Sequence, residues 1–157
     1  MLAALFDFLQ QSTLARLIDG SRYILMVIQG FHLLALVLLL GLALALNTRL
    51  QGLTLRLASV QEVARALQRP FWFTLAVTVV AGALLALPRL GTYSHNGPFL
   101  WKMGFLLVAA LLQGILLRRS VQLPEYGAVP FTLRATSTCA LLLWLGTGMA
   151  GRAIGFV

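Results

Sequence analysis

The sequence predicts an all-α integral membrane protein, a four-helix bundle preceded by a short interfacial helix, and three observations carry that prediction. Only 10% of the residues are charged against 60% hydrophobic, with a mean hydropathy of +0.91, where a soluble domain carries about 25% charged residues. Four apolar runs of membrane-crossing length follow one another. Basic residues bracket those runs, and continuous Leu and Ala lack the alternation of a membrane barrel.

The chain of 157 residues reads as a single membrane domain. The first uncharged run, Tyr23 to Thr48, supports a span over about residues 23–47. The second, 70–88, has Arg69 and Arg89 as flanks and a proline at either end, which suits a helix start and a helix stop. The third, 98–117, opens with Lys102 about one turn inside and ends on Arg118 and Arg119. The fourth, 130–151, has Arg134 in its first turn. Ahead of them, Leu2, Leu5, Phe6, Leu9, Leu17 and Ile18 recur at roughly helical spacing, which predicts an interfacial helix over 2–18. Asp7 and the missing cleavage motif argue against a secretory signal. Ser59-Val60-Gln61-Glu62 has the form of a capping box, and a second short interfacial helix is expected there.

Seven basic residues flank the loops joining spans one to two and three to four: Arg49, Arg56, Arg65, Arg69, Arg118, Arg119 and Arg134. Five flank the opposite ends: Arg16, Arg22, Arg89, Lys102 and Arg152. The positive-inside rule then places the seven in the cytoplasm of a bacterial inner membrane and both termini outside. The net charge of +8 is thereby a matter of topology and anionic lipid, and nucleic-acid binding is not expected. Cys139 has no partner cysteine for a disulfide. The spans contain no Asp or Glu, which weighs against a proton- or sodium-coupled transporter.

The candidate site centres on His32, roughly 14 Å from the outer end of span one. An ionisable side chain at that depth marks a functional site by default, and neutral imidazole ligates haem iron, Zn and Cu. The alternative is a structural hydrogen bond across the bundle. Gln29, three residues earlier, shares the face of His32. Lys102 either snorkels outward or turns inward to stabilise an anion. Tyr93 and His95 belong to the polar segment 93–102, and His95 is a candidate second haem ligand. Trp72, Trp101, Trp144, Tyr23, Tyr93 and Tyr126 read largely as an interfacial aromatic belt. Thr74, Thr78, Thr136, Ser137 and Thr138 can return hydrogen bonds to their own helices. Gly146, Gly148, Ala150, Gly151 and Gly155 form small-residue faces for close packing, within the bundle or against a partner.

Phe31-His32-Leu33-Leu34, the exit Asn47-Thr48-Arg49-Leu50-Gln51-Gly52 and the Tyr93 to Lys102 segment together resemble a family of uncharacterised small bacterial membrane proteins with four helices. That family has a first-helix His, a D-x-R-L-L-G-like exit and an N-P-x-F-x-x-K-like opening of the third helix. This chain departs from the pattern at Asn47 and at Gly97-Pro98. More distantly, a first-helix His paired with a later Lys is similar to HemJ-type haem-pathway proteins and copper-resistance D-type membrane domains. The HemJ-type likeness implies haem binding through His32.

The expectation is a small membrane subunit, not an enzyme on its own, that binds b-type haem or contacts quinone in an electron-transfer assembly. His32 would act as metal ligand, with Gln29, Lys102, Tyr93 and His95 beside the cofactor. The alternative is a cofactor-free structural subunit or anchor that packs against larger membrane proteins. Either way its partners are lipid and other membrane subunits or further copies of itself. A copper-handling role ranks last, for want of Met and His clusters.

Overall fold

Short polar side chains set where the helices begin. The computed structural model describes residue 8 and residues 10–93, 96–124 and 127–153. Ser12 accepts from the Ala15 N–H and opens α1 (Thr13–Asp19), and Ser21 does the same through Ile24 for α2 (Arg22–Leu50). Ser59 and Glu62 form the expected capping box at the head of α3 (Val60–Ala86). A 3-10 turn (Leu87–Arg89) and the one-turn α4 (Leu90–Tyr93) follow. Asn96 caps α5 (Gly97–Val121) through the Phe99 N–H, with proline in its first turn, and α6 (Phe131–Ala153) starts directly after Pro130. No strand occurs among the described residues.

α2 ends in a Schellman motif. The Gly52 N–H donates to the Arg49 carbonyl and the Leu53 N–H to the Thr48 carbonyl. Gly52 sits at φ +75°, a conformation that costs a residue with a β-carbon about 1 kcal/mol or more.

Two expectations about boundaries change. Of the interfacial helix expected over 2–18, residues 1–7 and 9 lie outside the described residues, and Ser12 caps a separate one. α1 also packs inward: Ala15 and Ile18 are buried, while Leu14 and Leu17 on its other side stay exposed. The second interfacial helix is absent as a separate element, because α3 runs unbroken from Val60 through Pro70. Pro70 removes one backbone bond and crowds the preceding turn. Packing outweighs that loss. Val63, Ala64, Phe71, Thr74, Thr78 and Ala81 are buried on both sides of the proline, a continuous face at helical spacing. Pro88 does act as expected, and the α-helix gives way to the 3-10 turn there.

α2, α3 with its continuation to Tyr93, and α5 are each long and apolar enough to cross a membrane. α6 has 23 residues, about 34 Å, and it is more polar, with Thr132, Arg134, Thr136, Ser137 and Thr138 in its first turns. These hydroxyls are satisfied as expected: Thr136 donates to Thr132 O, Ser137 and Thr138 to Arg134 O. Thr74 and Thr78 do likewise in α3.

The four long helices form two close pairs, α2 with α3 and α5 with α6, set side by side. At the end where α2 finishes they close tightly. Leu39, Leu46, Leu50, Phe71, Leu116 and Trp144 belong to one buried core there. Gln51 Nε2 reaches Arg134 O, Ser137 Oγ and Thr138 Oγ1 at 2.7–2.9 Å, and Gln61 Nε2 donates to Val121 O. Asn47 Nδ2 donates to Ala43 O at 2.7 Å and to Gln113 Oε1 at 2.8 Å. Gln113 Oε1 also accepts from Trp144 Nε1 at 3.4 Å. Trp144 is therefore no belt residue: it is 2% exposed and edge-on to Phe71.

Asn47 acts as a donor to two oxygens. Asn47→Asp replaces that donor with a carboxylate facing two acceptors, so a loss of about 1–3 kcal/mol is expected. Thermal unfolding of the detergent-solubilised variant checks this, and an unchanged midpoint would show the amide to be dispensable.

Candidate functional site

The opposite half of the bundle is hollow. Between the helices lies a cavity of about 620 Å³, inside the range of small-ligand and cofactor sites. His32, Gln29, Lys102 and Tyr93 all line it. Four of the five residues expected at a site thus meet on one cavity, although they come from α2, α4 and α5. His95, the fifth, lies outside the described residues.

His32 projects from α2 and is buried. Its Nδ1 lies 3.1 Å from the Thr78 carbonyl oxygen on α3. A carbonyl only accepts, so this bond puts a proton on Nδ1, and in the neutral imidazole the lone pair is then on Nε2. The structural alternative, a hydrogen bond across the bundle, is thus present, and it also defines the free nitrogen. Gly82, one turn beyond Thr78, makes room for the ring. A β-carbon there would stand 3.0 Å from His32 Cε1. Neither Thr78 nor Gly82 is marked as a site residue by the sequence. A small residue four positions after a carbonyl becomes meaningful only once the histidine is known to face it.

Lys102 does not snorkel to the outer surface. It lines the cavity, and a β-carbon at Gly151 of α6 would lie 3.4 Å from its Nζ. Tyr93 stacks on Phe99 with ring centroids 5.3 Å apart, bridging α4 and the start of α5. Arg89, Arg152 and Asp19 also reach the cavity, and the walls include Leu25, Leu33, Leu36, Leu40 and Leu85. The wall is apolar with four charged side chains. Gln10 Oε1 accepts from the Gly91 N–H, tying the N-terminal segment to the same end of the bundle.

The glycines of α6 turn out to face inward. Gly146 abuts Phe105, Gly151 abuts Lys102, and Gly148 lines the cavity. Gly155 lies outside the described residues. No cluster of three or more His, Cys, Asp or Glu occurs among the described residues, so a metal held by protein side chains alone has no ligand set there. A haem is a different case, because its macrocycle supplies four donors and the protein needs to offer one or two.

The chain belongs to the DUF6644 family, a family of unknown function, whose model matches residues 6–157. This agrees with the resemblance to an uncharacterised family of membrane proteins. No curated protein and no solved structure matches the chain.

Glycine to alanine in a helix interior is ordinarily favourable by about 1 kcal/mol. Gly82→Ala is expected to lose that gain, since the new methyl must displace the His32 ring. Gly104→Ala, with open space at its β-carbon, is expected to keep it. Melting temperatures of the two variants against the native chain decide the point, and equal midpoints would contradict the close approach at Gly82.

Proposed function

We propose that this DUF6644 member is a small membrane-embedded redox subunit whose cavity binds an amphipathic cofactor, b-type haem first of all. The observation that carries the reading is the His32 Nδ1–H bond to the Thr78 carbonyl beside a cofactor-sized cavity. A haem-ligating histidine offers one ring nitrogen to iron and commonly fixes the other by a hydrogen bond to a carbonyl, which sets tautomer and orientation and raises ligand basicity. The donor set fits: an imidazole nitrogen, leucine walls for a macrocycle, and Lys102, Arg89 and Arg152 for its carboxylates.

Each residue then has a task in chemical terms. His32 would hold the haem iron through Nε2. Gly82 gives the ring its space, and Thr78 O keeps the proton on Nδ1. Lys102 and the two arginines balance negative charge at the polar end, and the α2 and α3 leucines exclude water. When bound, a b-type haem supplies one-electron transfer, and its potential is set by the axial ligand and the surrounding dielectric. Electrons would pass to or from partner subunits in the membrane.

A second reading uses the same nitrogen. A quinol hydroxyl can donate to Nε2, with Gln29 or Tyr93 contacting the ring's other oxygen, and His32 would then accept a proton. The tautomer suits the reduced, hydroxyl-bearing form, since a quinone carbonyl would need a donor there. A cofactor-free anchor has less support, because the α6 glycines that would form its contact face pack within the chain or line the cavity.

In this reading α6 is the fourth span. It packs along α5, which is itself long enough to cross, and its uncharged stretch between Arg134 and Arg152 covers most of a bilayer core. The cavity opens toward the outer side of a bacterial inner membrane, both termini lie outside, and the tightly packed end with its arginines faces the cytoplasm.

A reduced-minus-oxidised absorbance spectrum of protein produced with ample haem, with a pyridine haemochrome assay, is the test. The expected result is b-type bands that disappear in His32→Ala. A featureless spectrum, or bands unchanged in His32→Ala, would overturn the haem assignment.

A further inference from the structure

Lys102 places a cation where nothing in the described fold compensates it. It lies in the second turn of α5, counted from the Asn96 cap, near the helix end whose dipole favours anions over cations. Its side chain turns into the cavity and its ammonium rests against Gly151. Among the described residues it makes neither a hydrogen bond nor an ion pair, whereas the Asn96 cap of the same helix is satisfied by the Phe99 N–H. An uncompensated cation at membrane depth is costly, and such groups as a rule pair or border a pathway. Arg89 and Arg152 add positive charge to the same cavity against one carboxylate, Asp19. The remaining wall is largely leucine, aromatic, proline, glycine and alanine surface, with Gln29, His32 and Thr147 as its uncharged polar side chains.

We infer that the cavity selects an acidic amphiphile: a ligand with a carboxylate or phosphate that pairs with Lys102 and an apolar body that lies against the α2 and α3 leucines. The inference rests on the cofactor-site reading of this cavity and narrows its ligand class. It assigns Lys102 the choice between charged and neutral ligands, a role separate from that of His32. A haem meets the description through its carboxylates, and so does a fatty acid or an anionic lipid.

Trp144 lines the cavity, so in a Trp72→Phe/Trp101→Phe chain it is the one remaining tryptophan and reports on occupancy. The experiment titrates this chain, in nanodiscs of zwitterionic lipid, with dibromostearic acid and with its methyl ester, and follows quenching of Trp144. The acid is expected to quench at a concentration tenfold or more below the ester. Lys102→Gln should bring the acid to the level of the ester. Brominated phosphatidate in a third titration separates a lipid phosphate from a free carboxylate as the source of the acid. Equal quenching by acid and ester in the Lys102 chain, or an acid preference surviving in Lys102→Gln, overturns the proposal. Should Lys102→Gln fail to fold, Lys102→Met keeps the stem and removes the charge, and the acid-to-ester comparison on the native side chain stands without any variant. A featureless haem spectrum with the acid preference intact rejects haem alone. Haem bands without an acid preference reject the Lys102 assignment alone.

Discussion

Hydrocarbon offers no hydrogen bonds, so polar side chains on these helices depend on partners inside the bundle, and among the described residues Lys102, Asn47 Oδ1 and Ser120 Oγ go without one. That constraint shapes both halves of the molecule. Where α2 ends, the amides of Asn47, Gln51 and Gln113 and the Trp144 indole reach one another or backbone carbonyls across three helices. Their bonds hold the two helix pairs together in the region of the buried core. The hydroxyls of α3 and α6 solve the same problem locally, by bonding to carbonyls one turn back. In the other half, polar residues are present without filling the space between them, and a cavity remains.

His32 joins the two regimes. Its Nδ1–H is satisfied by Thr78 O in the same sense as the amides below it, and the bond leaves Nε2 as the nitrogen that faces no carbonyl. Gly82 favours that geometry, because a β-carbon there would stand 3.0 Å from Cε1 and the ring would have to give way. On the far wall, Lys102 and Gly151 repeat the pairing of a long polar side chain with a glycine on the facing helix. In the proposed function, imidazole and ammonium divide the work: a ligand or proton acceptor from α2, a charge balance from α5.

Much of this was legible in the sequence, and the reason is local. The capping box at Ser59, the stop at Pro88 and the start at Pro98 each depend on a few neighbouring residues, and the structure keeps all three. Span length and depth are enough to pick out His32, and the run order of the helices brings Gln29, Tyr93 and Lys102 to its level. The misses come from contacts between helices. Pro70 reads as a start because its own chemistry is that of a breaker, yet the buried face passing through it holds α3 together. Trp144 reads as a belt residue until Gln113 is seen to receive its indole N–H. Gly82 and Gly151 carry no signal by themselves, since a glycine's value depends on which side chain faces it, and that is set by the register between helices.

The central claim is that His32 is held as the Nδ1–H tautomer with Nε2 available. Solid-state ¹⁵N NMR of histidine-labelled protein in lipid bilayers, with His95→Gln to assign the two rings, measures it directly at neutral pH without added cofactor. The account predicts a protonated Nδ1 and an unprotonated Nε2 for His32. A proton on Nε2 instead would contradict it, leaving the cavity without its ligand atom.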